Sequence, residues 1–199
     1  MRIILMVFTF TLFSTMAVAS GDPVKGKNKI ILCMGCHGTD GNSSTSTFPN
    51  LAGQGETYLV KQIEDFKSGA RKEEHMTSMA ETIDVADIAD IAAYFSSQKR
   101  NKSKVAKSAD GLGERIYITG IKSKGVDACA SCHGDKGLGN AIAKYPLLAG
   151  QQGEYIEMTL KRFRNGERSN DPYNIMRDIA AKLTDEEISL LSTYIAWLD

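Results

Sequence analysis

Two copies of one pattern, Cys33-Met34-Gly35-Cys36-His37 and Cys129-Ala130-Ser131-Cys132-His133, use all four cysteines of the chain and two of its three histidines. Two thiols three residues apart, with an imidazole directly after the second, suit a c-type haem: the thiols add across its two vinyl groups and the imidazole meets its iron. Residues i, i+3 and i+4 share a face of a helical turn, so the spacing presents all three groups together. The pattern predicts two covalent haem c groups, with Cys33, Cys36, Cys129 and Cys132 as thioether donors and His37 and His133 as axial iron ligands. Four thiolates around zinc, or two disulfides, would use the same cysteines. Against these stand the histidine directly after each second cysteine and the repeated surroundings of the two motifs. A thioredoxin-like dithiol is disfavoured because no alternation of strand and helix surrounds either pair.

The N-terminus points to the compartment in which such attachment occurs. Arg2 gives a short positive start, residues 3–13 an apolar stretch, and Ala17-Val18-Ala19 a small-residue cleavage signal, so residues 1–19 read as a cleaved signal peptide. The apolar run is shorter than the ~20 residues that cross a bilayer. The expected location is a bacterial periplasm.

Internal similarity divides the rest in two. Phe48-Pro49-Asn50-Leu51-Ala52-Gly53-Gln54 returns as Tyr145-Pro146-Leu147-Leu148-Ala149-Gly150-Gln151, and the same offset of 97 pairs Tyr58 with Tyr155, Phe66 with Phe163, Gly69 with Gly166 and Arg71 with Arg168. Residues 20–98 and 113–199 are the expected domains, with 99–112, rich in lysine and serine, as linker. Both are expected to be all-α, two tandem cytochrome c-like helical domains each wrapped around one haem. Residues 84–98 and 184–198 carry apolar stripes of helical period. Thr184 and Glu187 form a capping-box start for the second, and Asp84 is the candidate cap of the first. Residues 115–119 are β-branched but are expected to form the helix before the second haem motif.

The sixth iron ligand separates a carrier from a catalyst, because an open position lets iron bind small molecules. After the second motif only Met158 and Met176 are available. Met158 has Lys61 as its counterpart. Met176 lies eight residues before Thr184, and eight residues before Asp84 stands Met76. Repeat logic therefore selects Met76 and Met176. Met79 is the rival in the first half, but its counterpart is Ile179. His75 is matched by Ile175 and is expected in an exposed loop. Pro49 and Pro146 are placed for their carbonyls to accept the proximal imidazole N–H, a contact that orients such a ligand. Arg71 and Arg168, each two residues after a glycine, are candidate partners of haem propionates, though ordinary surface arginines would fit the same positions.

Taken together, residues 33–42, 48–56, 76–79, 90–98 and 176–183 resemble the dihaem cytochromes c4, over essentially the whole expected mature chain. The chain departs from that family pattern in a shorter stretch between Gly69 and Met76. The resemblance implies His37 and Met76 on one iron and His133 and Met176 on the other. It also implies electron delivery from the quinol-oxidising part of a respiratory chain to a terminal oxidase, sometimes in association with the membrane. On this reading the protein is an electron carrier and not an enzyme, with redox proteins as partners. The alternatives are a cytochrome subunit of a larger dehydrogenase and a dihaem peroxidase-type enzyme with one open iron. Charge is balanced, with 24 basic and 24 acidic residues, so neither strong steering nor nucleic-acid binding is expected.

Overall fold

The computed structural model describes residues 20–102, 105–106 and 111–198; the expected signal peptide and part of the expected linker lie outside the described residues. Among these residues all regular structure is helical. The first half holds α1 (Pro23–Lys27), α2 (Met34–His37), α3 (Glu56–Ser68), α4 (Glu74–Glu81) and α5 (Ile88–Ser97). The second holds α6 (Leu112–Thr119), α7 (Ala130–His133), α8 (Gly153–Arg164), α9 (Ile175–Ala180) and α10 (Asp185–Trp197), in the same order. Extended pairing among the described residues is confined to two isolated bridges, Ile121 with Val126 and Asn140 with Tyr145. The all-α expectation holds, and the two halves repeat one order of five helices.

Each domain is closed by its first and last helices. Ile91, Ala92 and Phe95 of α5 are buried together with Ile30 and Leu59, and Ile188, Leu191 and Ile195 of α10 with Tyr117 and Leu160. The helices approach so closely that a Cβ on Gly26 of α1 would lie 2.0 Å from the Asp90 carbonyl oxygen, and one on Gly113 of α6 would lie 2.3 Å from that of Leu190. Glycine is what permits backbone contact here.

Local signals fared unequally. α10 starts as expected: Glu187 N–H donates to Thr184 Oγ1 at 3.2 Å and Thr184 N–H to Glu187 Oε2 at 2.8 Å. Asp84, in contrast, makes no side-chain cap bond, and the chain first forms a 3-10 turn over Val85–Asp87. Val85, expected on the apolar stripe, is therefore 70% exposed. His75 is exposed, but it lies in the first turn of α4 and not in a loop.

The domains meet through the loops at residues 50–54 and 147–152, which follow Pro49 and Pro146. Arg100, beside this seam, donates to the carbonyls of Ala52 (3.0 Å), Ala149 (2.9 Å) and Asn50 (3.1 Å), tying both halves together.

Candidate haem-binding sites

Each cysteine–histidine motif forms one helical turn. Cys33 precedes α2 and Cys129 precedes α7; the N–H of His37 donates to the Cys33 carbonyl at 3.0 Å and that of His133 to the Cys129 carbonyl at 2.9 Å. The winding brings each histidine back beside its first cysteine. Gly38 and Gly134, both at φ 79°, then turn the chain away. The imidazoles are buried, while Cys36 is exposed and the other three cysteines are partly so.

The ring orientations are set from outside the motif. His37 Nδ1 lies 2.9 Å from the Pro49 carbonyl oxygen and His133 Nδ1 lies 3.0 Å from that of Pro146. A carbonyl only accepts, so Nδ1 carries the proton and Nε2 is left with its lone pair free for a metal. Burial pushes both imidazole pKa values down, with the carbonyl bonds acting in the opposite sense. Phe48 and Tyr145 occupy equivalent positions beside the two rings, at centroid distances of 6.4 and 6.1 Å.

This donor set fits covalent haem. Each motif pairs free thiols with a buried imidazole held in the ligating tautomer. Burial pushes the Cys33 and Cys129 thiols up to about 11, which keeps them neutral at ordinary pH. The zinc alternative lacks a site, since among the described residues no three His, Cys, Asp or Glu side chains converge on a metal position. All four cysteines are free, so the disulfide alternative is not realised either.

Met76 lies in the first turn of α4 and Met176 in the first turn of α9, both partly buried. Downstream of them the two helices end alike. Ala80 and Ala180 are fully buried, and the bonds from Thr82 N–H to the Met79 carbonyl and Ile83 N–H to that of Ala80 recur from Lys182 to Ile179 and Leu183 to Ala180. The offset here is 100, three more than upstream. The second domain thus spends three extra residues between Gly166 and Met176, which is the short stretch noted after Gly69. Met158 lies on α8 in an open groove beside Glu154, Glu157 and Lys161.

Arg71 and Arg168 are not surface residues: they are 8% and 6% exposed and stack on Phe66 and Phe163 at 4.6 and 4.5 Å. Arg71 donates to Gln62 Oε1 (2.8 Å) and the Tyr155 hydroxyl oxygen (3.2 Å), and Arg168 to Gln62 Oε1 (3.1 Å), the Tyr58 hydroxyl oxygen (3.1 Å) and Asn170 Oδ1 (3.0 Å). Each guanidinium reaches into the other domain, and none of these acceptors is a carboxylate. Two buried cations whose hydrogen bonds reach no carboxylate form a region suited to anionic groups such as haem propionates, because a buried charge is costly until paired.

The cross-domain loop contacts were missed in the sequence, although their residues were in view as the last letters of the repeated Pro-x-Leu-Ala-Gly-Gln segment. Gln54 Nε2 donates to the Leu147 carbonyl at 3.0 Å while its Oε1 accepts from Leu147 N–H at 2.8 Å. Gln151 does the same to Asn50, at 3.0 and 2.7 Å. A repeat identifies equivalent residues; it does not reveal that the two copies bind each other.

Comparison with known proteins agrees with this architecture. The cytochrome c family model matches residues 24–99 and again 113–199. The chain is 44% identical to cytochrome c4 of Azotobacter vinelandii, with 92% of each chain covered. It is 34% identical to the thiosulfate dehydrogenase electron acceptor of Thiomonas intermedia (strain K12), covering 82% of this chain and 77% of that one. The crystal structure of reduced recombinant cytochrome c4 from Pseudomonas stutzeri superimposes with a TM-score of 0.87 at 42% identity, covering 90% of this chain and 100% of that one.

Proposed function

The chain belongs to the cytochrome c family, as a two-domain cytochrome c4 with two covalent haem c groups, and from that premise we propose that it is a periplasmic electron carrier. It would take electrons from a quinol-oxidising complex or a dehydrogenase and pass them to a terminal oxidase. Cys33 and Cys36 would hold the first haem, with His37 and Met76 as its axial ligands. Cys129 and Cys132 would hold the second, with His133 and Met176. The carrying observation is the duplicated orientation of His37 and His133 by the Pro49 and Pro146 carbonyls, at 2.9 and 3.0 Å, with one methionine in register in each half.

The haem supplies a one-electron couple; the chain supplies position and environment. The Pro49 and Pro146 carbonyls hold the Nδ1 protons, which fixes each ring and raises its basicity at Nε2. Met76 and Met176 as iron ligands would keep small molecules off the metal and favour its reduced state. Arg71 and Arg168 would offer buried positive charge to anionic groups such as propionates. The domain seam holds the two sites in one arrangement, which suits transfer between them.

Periplasmic export rests on residues 1–19. Among the described residues no helix is long and apolar enough to cross a membrane. Service to a dehydrogenase is the second reading, favoured by the relative named as a thiosulfate dehydrogenase electron acceptor. The test of the carrier reading is the optical spectrum of the reduced protein before and after carbon monoxide, with haem counted per chain. Two haems and an unchanged spectrum are expected. A shifted Soret band would expose an open iron and favour an enzyme.

A further inference from the structure

The hydrogen bonds of the proximal histidines do not end at the proline carbonyls. The Pro49 carbonyl and the Asn50 N–H belong to one peptide group. Its oxygen accepts from His37 Nδ1 at 2.9 Å, and its N–H donates to Gln151 Oε1 of the other domain at 2.7 Å. The second half repeats this, with the Pro146 oxygen accepting from His133 Nδ1 at 3.0 Å and Leu147 N–H donating to Gln54 Oε1 at 2.8 Å. Both glutamines are 4% exposed. Each is held in place by a second bond, from Nε2 to the carbonyl of the same residue whose N–H it accepts.

We propose that Gln54 and Gln151 are positioning residues that tune the haem of the opposite domain, each through one peptide group and the proximal histidine. The inference rests on His37 and His133 being the axial ligands proposed above. An amide whose N–H is engaged carries more negative charge on its oxygen, because hydrogen bonds in a chain polarise one another. A more negative Pro49 oxygen draws the His37 Nδ1 proton harder, making Nε2 a stronger donor. A stronger donor stabilises ferric over ferrous iron, so the glutamine lowers the potential of the haem in the domain it does not belong to.

Sign and direction separate this from a purely structural role. Loosening the domain seam would admit water to both haems, and hydration favours the more highly charged ferric state, lowering both potentials. Removing the glutamine acceptor must instead raise one potential, and that one across the seam.

The experiment uses the full dihaem protein carrying Gln151→Leu or Gln54→Leu. Gln152→Leu serves as control, since Gln152 Nε2 also crosses the seam, to the Ser43 carbonyl at 2.9 Å, without touching either relay peptide. Two quantities are measured: the potential of each haem, and the Nδ1 proton resonances of His37 and His133 in the reduced protein, followed through the titration to assign each potential to its domain. With Gln151→Leu, the His37 resonance moves upfield and the first haem's ratio of reduced to oxidised form at fixed potential rises about twofold, as expected for losing one cooperative step. The His133 resonance stays. Gln54→Leu gives the mirror result, and Gln152→Leu leaves both resonances in place. A joint fall of both potentials, a response confined to the substituted domain, or the same response from Gln152→Leu overturns the relay. Should a leucine variant fail to fold, Gln151→Asn and Gln54→Asn, whose side chains are one methylene too short to hold both bonds, carry the same expectations. The ligand assignment is checked beforehand in the unaltered protein: imidazole resonances lacking the ring-current shift of haem-bound histidine would refute that premise and the relay with it. Shifted resonances with no crossed response would refute the relay alone.

Discussion

Arg71 donates from Nη2 to the hydroxyl oxygen of Tyr155, a residue of the opposite domain, at 3.2 Å. Burial alone would push the Tyr155 phenol up, but the Arg71 and Arg168 guanidinium groups outweigh it and draw its pKa down. Two cations concentrated at the seam would favour the less positively charged, reduced form of haems held by the two motifs. Arg168→Met should therefore lower the reduced-to-oxidised ratio at fixed potential about five- to tenfold, the scale of one charge acting across a domain at an effective dielectric of about 20. Arg168→Lys should recover most of the loss, because it restores the charge without the fork. Spectroelectrochemical titration of the three proteins checks this, and equal losses in both variants would mean that packing on Phe163, not charge, is responsible.

Met76→Ala and Met79→Ala separate the two candidate ligands of the first iron. Removing the true ligand frees a coordination position, so the ferrous protein should then bind carbon monoxide at one of its two haems. The expected result is binding of one equivalent per chain for Met76→Ala and none for Met79→Ala. Met176→Ala should also bind one equivalent, and the double variant with Met76→Ala two. Binding by Met79→Ala alone would transfer the assignment to Met79.

The haem motifs, the tandem all-α organisation and the equivalent placement of Met76 and Met176, in the first turns of α4 and α9, were legible in the sequence because each is a pattern within one repeat unit. The proline carbonyls were also within reach, since Pro49 and Pro146 recur at nearly the same distance from their histidines. Contacts between the repeats were not. Arg100 looked like part of a polar linker, yet it is partly buried and donates to three carbonyls, and burial pushes its pKa down to about 10. Composition averages over neighbours and hides one ordered arginine. Asp84 failed as a cap for a local reason: a 3-10 turn intervenes before α5, and sequence patterns locate helix ends less well than helix faces.

Gly26 and Gly113 were not singled out by sequence, although they determine how closely α1 meets α5 and α6 meets α10. A methyl group at either site would overlap a backbone carbonyl oxygen, at 2.0 and 2.3 Å. Backbone cannot swing away as a side chain can, so the helix pair must separate. Gly26→Ala and Gly113→Ala should each destabilise their own domain by about 3 kcal/mol, the upper part of the usual range for overpacking. Denaturant unfolding followed at each haem measures this. A change below about 0.5 kcal/mol would show that the helices part without cost.

Glu187 links stability to pH in the second domain. Its carboxylate accepts from Thr184 N–H at 2.8 Å and from Lys124 Nζ at 2.7 and 2.8 Å. Partial burial raises its pKa, but the Lys124 and Thr184 bonds outweigh this and hold it below the ordinary value of 4.5. The fold therefore favours the ionised form. Its contribution is complete above the ordinary value and is lost as pH falls through the folded-state pKa. Glu187→Gln, which keeps the shape and removes the charge, should cost about 1 kcal/mol near neutral pH, the usual scale of a helix cap together with a partly exposed ion pair. The difference between variant and parent should shrink as the solution is acidified below the carboxylate range, because the parent then loses the same charge. Unfolding curves for the two proteins at neutral and acidic pH test both statements, and a gap that persists unchanged in acid would assign the cost to cap geometry and not to ionisation.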